Sequence, residues 1–188
     1  MISKQKGRDL LMTKSKWALD TAHSSVDFSV RHMMIANVKG SFNNFNATIE
    51  ADPTDLTNAT IEFSIETGSV DTRNQDRDGH LVSADFFDVE NHPTMNFRAT
   101  KIEKTDEGEY NVTGDLTLRG VTKPETFVVT FEGQGKDPWG NEKVGFSASG
   151  SINRSDYGLV WNAALETGGV LVGDKVKINL QIQAAKAE

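Results

Sequence analysis

The 188-residue sequence contains no cysteine, which excludes disulfides, a thiol nucleophile and cysteine-ligated metal sites. It also lacks a surplus of positive charge: 20 Lys and Arg stand against 27 Asp and Glu, a formal net charge of -7. Phosphate-backbone binding needs clustered cations, so nucleic acid is excluded as a partner. Electrostatic attachment to an anionic membrane surface is disfavoured on the same ground. No apolar run is long enough to span a bilayer, so no integral membrane segment is expected. Leu10-Leu11-Met12 is too short for a signal-peptide core, and a cytoplasmic location is expected. Residues 1–15 read as a disordered N-terminal extension to a single domain over residues 16–184.

Chemistry-bearing motifs are sparse as well. No two of His23, His32, His80 and His92 have the i, i+2 or i, i+4 spacing of common metal sites, so they read as hydrogen-bonding groups. Ser83, Asp85 and His80 are the one hydrolase candidate. They have no Gly-x-Ser-x-Gly elbow, and no strand pattern presents the serine. No catalytic residue and no cofactor is expected.

What the sequence does have is alternation. Val26, Phe28 and Val30 alternate with Asp27, Ser29 and Arg31, as a half-buried strand requires. The pattern continues through Phe42, then repeats one residue out of phase in Phe45, Ala47 and Ile49, as a bulge at Asn43-Asn44 would produce. It returns at Ile61 to Ile65, Met95 to Ala99, Tyr110 to Leu118, Phe127 to Phe131, Val144 to Ile152 and Val176 to Ile182. Asp52-Pro53-Thr54-Asp55, Asp106-Glu107-Gly108 and Gly120 mark turns, Gly133 to Asn141 reads as a loop, and Gly173-Asp174 reads as a tight hairpin. Nine or ten short antiparallel strands with no long amphipathic helix to cover them predict an all-β, up-and-down barrel in preference to a sandwich.

One stretch breaks the alternation. Thr72-Arg73-Asn74-Gln75 fits a capping box, with Thr72 as the cap. It predicts a short helical insertion around residues 72–88 that carries the apolar Leu81, Phe86 and Phe87 over an open end of the sheet. On the inward parity of the strands, small residues such as Gly40, Ala99, Gly114, Ala148 and Gly150 lie among phenylalanines. They either fit the taper of a filled barrel or leave an apolar void, and pattern alone leaves the two equally open.

Four motifs resemble the YceI family of lipocalin-like, polyisoprenoid-binding proteins. They are Trp17-Ala18-Leu19-Asp20 with His23 to His32, Arg77-Asp78-x-His80-Leu81 with Asp85-Phe86-Phe87-Asp88, Gly114 to Pro124, and Ile152 to Asn162 with Trp161. The resemblance implies an extended antiparallel barrel whose apolar interior holds a long-chain amphiphile, an isoprenoid lipid or quinone, without catalysis. It thereby moves the hollow barrel ahead of the filled one. Many members carry a secretory signal, which this sequence does not match. The expected cavity lining is Phe28, Val30, Phe42, Phe63, Phe97, Leu116, Leu118, Phe146 and Trp161, all on or beside the apolar parity. Arg73, Arg77 and His80 are the candidates for a polar head group, against the alternative of a salt-bridged plug. Arg154-Ser155-Asp156 reads as a structural turn with an ion pair. A homodimer is left open.

Overall fold

A computed structural model describes residues 14–187. Of the extension expected at residues 1–15, the first thirteen positions lie outside the described residues, and Ser15 already belongs to a strand. The period-2 pattern folds as eleven strands forming eight antiparallel staves closed into one barrel. The first three staves are each made of two strands in line. β1 (Ser15–Leu19) and β2 (Ser25–His32) are separated by a 3-10 turn at Thr21–His23. β3 (Ala36–Phe42) and β4 (Phe45–Asp52) are separated at Asn43-Asn44, and β5 (Asp55–Glu66) and β6 (Val70–Asp71) at Thr67–Ser69. The remaining staves are single strands: β7 (Thr94–Asp106), β8 (Glu109–Leu118), β9 (Val121–Lys136), β10 (Glu142–Asn153) and β11 (Val172–Lys186). Closure comes from β11, which pairs with β2 along most of its length and with β1 at its end, where Trp17 lies opposite Lys186.

The phase slip between Phe42 and Phe45 is a complete strand break rather than a bulge. Both rings are buried, and the freed backbone at the break is satisfied from the next stave. Asn43 N donates to the Ser69 carbonyl and Asn44 N to Ser69 Oγ, at 3.1 and 3.0 Å. Two other expectations are corrected. β9 runs on to Lys136, so the loop is shorter than residues 133–141, and an irregularity opposite Gly133 lets the ladder continue. Gly173-Asp174 is not a hairpin but lies inside β11, where the register with β2 shifts between Val172 and Val176. These two residues leave the ladder because the 3-10 turn Arg154–Tyr157 claims them. Arg154 Nε donates to the Gly173 carbonyl (2.8 Å) and Ser155 N to Asp174 Oδ1 (3.0 Å).

The junction between β5 and β7 is the shortest in the ring. Only five residue pairs, Glu62–Arg98 to Glu66–Thr94, hold it together. Above this seam the chain leaves β6 and crosses to β7 through the insertion, which contains α1 (Gln75–Val82). Side chains there, rather than a backbone ladder, complete the wall. Two buried clusters result. One gathers Trp17, Leu56, Tyr110 and Val144 at the end where the described chain ends meet, and the other gathers Phe42, Phe86, Leu118 and Leu159 beneath the insertion.

Tyr157 belongs to the second cluster and is fully buried at 0% exposure. Its hydroxyl donates to Glu125 Oε1 at 2.7 Å. Burial, reinforced by the Glu125 carboxylate, pushes the phenol's pKa far above its ordinary value. A raised folded pKa gives stability that is present below the unfolded pKa and lost as pH rises above it. The melting temperature is therefore expected to fall from about pH 10 upward, and Tyr157→Phe to flatten that fall. Thermal melts between neutral and strongly alkaline pH test this, and a fall of equal slope in both proteins contradicts it.

Candidate functional site

Inside the barrel lies a cavity of ≈ 590 Å³, within the ~300–1,000 Å³ range of small-molecule sites. Its wall is built by the inward residues of the staves, so the alternation that makes each strand also makes the lining apolar. Phe28, Phe63, Phe97 and Phe146 point inward yet are only half-buried, because the space in front of them is empty. Tyr110 and Val112, at the closed end, are buried almost completely. The barrel is therefore hollow over the middle of its length and packed at the end where Trp17 meets Lys186.

All nine residues expected to line a pocket, namely Phe28, Val30, Phe42, Phe63, Phe97, Leu116, Leu118, Phe146 and Trp161, border this one cavity. Sequence reasoning left out the inward faces of β9 and β11, where Phe127, Val129, Val176, Ile178 and Leu180 complete the wall. Their alternation was a sufficient signal. Leu81, Phe86 and Phe87, expected over an open end of the sheet, border the cavity as its cover.

The inward glycines do not create the void. A Cβ on Gly150 would sit 2.6 Å from Phe127 Cδ1, one on Gly40 2.7 Å from Phe28 Cε1, and one on Gly114 2.5 Å from Phe97 Cζ. Each glycine is the seat for a neighbouring phenylalanine ring, which occupies the space a side chain would take. The open space arises further in, where side chains from opposite walls do not meet.

Polar groups gather at one end of the cavity, around α1. The helix cap is Asn74, whose side chain accepts from Arg77 N at 3.0 Å, and not Thr72. Thr72 ties the helix to β6 instead. Its hydroxyl and amide both donate to Asp78 Oδ1 (2.5 and 2.9 Å), while Arg77 donates from Nε to the hydroxyl and from Nη2 to the Thr72 carbonyl, each at 2.7 Å. Arg77 and His80 line the cavity, whereas Arg73 is exposed and outside it. His80 Nε2 lies 2.9 Å from Asp85 Oδ2, and its ring stands edge-on to Phe86 and Trp161 at 5.0 and 4.7 Å. The exposed Arg31, Asn74 and Asp76 also border the cavity, so it meets solvent between the β2–β3 hairpin and the start of the helix.

The hydrolase trio is not assembled. Ser83 Oγ donates to the His80 backbone carbonyl at 2.5 Å, where it finishes the helix, and has no hydrogen bond to the imidazole. Among the described residues no three His, Asp or Glu side chains converge on a common point as metal ligands.

The other side of the mouth is the Gly158–Leu171 loop, and Arg154 holds it. The expected ion pair with Asp156 does not form. Arg154 is 5% exposed, and its guanidinium donates to the carbonyls of Gly173, Leu159, Trp161 and Val172 at 2.7–3.3 Å. Burial lowers its pKa, and the nearby Asp174 carboxylate offsets part of the effect. Arg119 makes a second tie, donating to the carbonyls of Gly158 and Ala84 at 2.7 Å and so linking the loop to the insertion.

Residues 17–184 match the sequence profile of the YceI-like domain. A UPF0312 protein of Staphylococcus epidermidis is 43% identical over 164 residues, covering 87% of this chain and 93% of its own. The crystal structure of the Campylobacter jejuni YCEI protein is similar with a TM-score of 0.73 and 35% identity, over 84% of this chain and 90% of that one. A polyisoprenoid binding domain from Saccharophagus degradans, implicated in plant cell wall breakdown, shares the fold at 12% identity. Its TM-score is 0.70, over 92% of this chain and 99% of its own.

Proposed function

The chain belongs to the YceI-like family, and from that premise we propose that it binds and carries, or stores, a long-chain amphiphile such as a polyisoprenoid or isoprenoid quinone. The observation that carries this reading is the continuous apolar cavity running from the closed end to a polar rim. An amphiphile lies in it with the tail against Phe63, Phe97 and Phe146 and the head beside Arg77 and His80. A polyisoprenoid-binding domain of the same fold lends support. The role is non-catalytic, a reading supported by the commitment of Ser83 to the helix end. The compartment assigned is the cytoplasm, supported by the cysteine-free composition. Fractionation that finds the protein outside the cytoplasmic membrane overturns that assignment.

Affinity is expected to rise roughly fourfold for each added methylene until the cavity is full, from about 0.8 kcal/mol per buried CH₂. It is expected to change little with salt, since the tail and not a charge supplies the energy. Ala148 borders the cavity, so Ala148→Phe is expected to fold and to bind long-tailed prenyl quinones at least about tenfold more weakly through lost tail burial. Tail-length series by titration calorimetry, together with native mass spectrometry of detergent-free protein, test the reading. Equal binding of short and long tails, or of wild type and Ala148→Phe, overturns it.

A further inference from the structure

The β2–β3 hairpin turns at Met33, Met34 and Ile35, and all three are exposed, Ile35 at 78%. Met33 N donates to the Leu171 carbonyl at 2.7 Å and Met34 lies against Gly169, so the tip joins the 158–171 loop. That loop adds the exposed Val160 and Val170. Leu171, Val172, Arg31 and His32, which flank these residues in the chain, border the cavity. An apolar crest thus stands directly at the cavity mouth.

The charge around it differs from that of the whole molecule. From Phe28 to Ile49 there is no acidic residue, and from Tyr157 to Gly173 only Glu166. Arg31 stands behind the tip with Nη2 on the Met34 carbonyl, and Lys175 lies at the same level on β11. One step further back, Lys39 and Lys177 both register with Ser29, which sets them in a row across three strands. All four cations are exposed, and among the described residues none has a carboxylate within salt-bridge distance. The nearby acids are Asp174, which accepts from Ser155 N, Glu166 in the loop, Asp76 at the cavity mouth, and Asp27 and Asp71, which both register with Ser41 one step behind Lys39. Asp27 also accepts from the Ser41 hydroxyl at 2.6 Å, and the four cations lie between these last two acids and the apolar tip.

We propose that this crest and its basic fringe form a docking surface for the face of a phospholipid bilayer containing anionic lipid. Apolar residues that enter the interface, backed by cations that meet lipid phosphates, are the two elements of reversible peripheral attachment. The mouth then opens onto the bilayer, and a chain too apolar to cross water passes between membrane and cavity. The proposal rests on the carrier reading for its purpose, but attachment itself needs no ligand.

Flotation of the full chain with vesicles of phosphatidylcholine, alone or mixed with phosphatidylglycerol, tests it. The wild type is expected to float with the mixed vesicles and to be released by high salt. The exposed-tip double variant Met34→Asp/Ile35→Asp is expected to lose at least about tenfold in partitioning. Lys39→Glu and Lys177→Glu are each expected to lose about fivefold on mixed vesicles. Trp139→Asp, at the far end of the barrel and 83% exposed in the wild type, is expected to change nothing. Absence of wild-type flotation, equal flotation of the tip variant, or loss in Trp139→Asp overturns the proposal. So does size-exclusion data in which the tip variant breaks a wild-type dimer while flotation is unchanged, since the crest then belongs to a second copy. Binding of a water-dispersed prenyl quinone, measured without vesicles, is expected to be equal in wild type and tip variant. Failure of that binding in the wild type, with flotation intact, overturns the carrier reading and leaves the docking surface standing.

Discussion

Gly114→Leu is expected to leave little folded protein, although it adds only a side chain of modest size to a barrel that is hollow. A Cβ at this position falls inside van der Waals contact of the Arg98 backbone carbonyl and 2.5 Å from Phe97 Cζ. The ring can swing away, but the carbonyl belongs to the β7–β8 ladder, where Ala99 registers with Gly114, and moves only if the strands part. Overpacking of this kind costs roughly 3 kcal/mol or more, a large share of the ~5–15 kcal/mol that stabilises a typical domain. Ala148→Phe adds a comparable volume on the inward side and is expected to cost far less, because it grows into the cavity and not into a neighbour's backbone. Denaturant melts of the two variants, with expression level as a first indicator, test the contrast. Comparable stability in both would mean that the glycines do not seat the rings.

Arg154→Met is the second change expected to be severe. Hydrogen bonds from a charged donor contribute about 1.5–3 kcal/mol each, yet desolvation of the guanidinium opposes them, so the net loss is expected near 3 kcal/mol and not at the sum. Methionine fills much of the space but orphans the carbonyls of Leu159, Trp161, Val172 and Gly173. Lysine, a point charge without the planar fork, is expected to recover only a part. The distinctive readout is local. Limited proteolysis is expected to cut within residues 158–171 well before the barrel unfolds, with a change in Trp161 fluorescence. A variant that loses stability while the loop stays resistant would show that Arg154 supports the core and not the mouth.

Most of the barrel was legible because its cause is local. A strand half-facing a core must alternate, and Val26 to Val30, Ile61 to Ile65 and Tyr110 to Leu118 do so without exception. Asp52 to Asp55 and Glu107-Gly108 turn where their residue types favour turning. What misled was decided at a distance. Gly173-Asp174 has hairpin chemistry, but Arg154 and Ser155, about twenty positions earlier, draw it out of line instead. Thr72 satisfies the spacing of a helix cap, but Asp78 and Arg77 recruit its hydroxyl and leave the cap to Asn74. The partners of Arg154 are carbonyls, which carry no side-chain signature, so an ion pair with Asp156 was the natural but incorrect reading. Net charge hid the basic fringe for a similar reason: a sum over 188 residues contains no position.

The pairing of Trp17 with Lys186, and the bond from Ala187 N to the Lys16 carbonyl at 2.8 Å, bring the two described chain ends side by side. Stave follows stave around the ring in sequence order, so the backbone is a circle with one cut, and the cut lies at the end away from the mouth. A short linker joining the ends, with a new opening in the Asp137–Asn141 loop, would preserve every ladder and both buried clusters. A fusion partner or surface tether joined directly at Lys14 or Ala187 projects from the closed end. A chain trimmed to these residues can therefore be immobilised by its ends with its cavity facing outward.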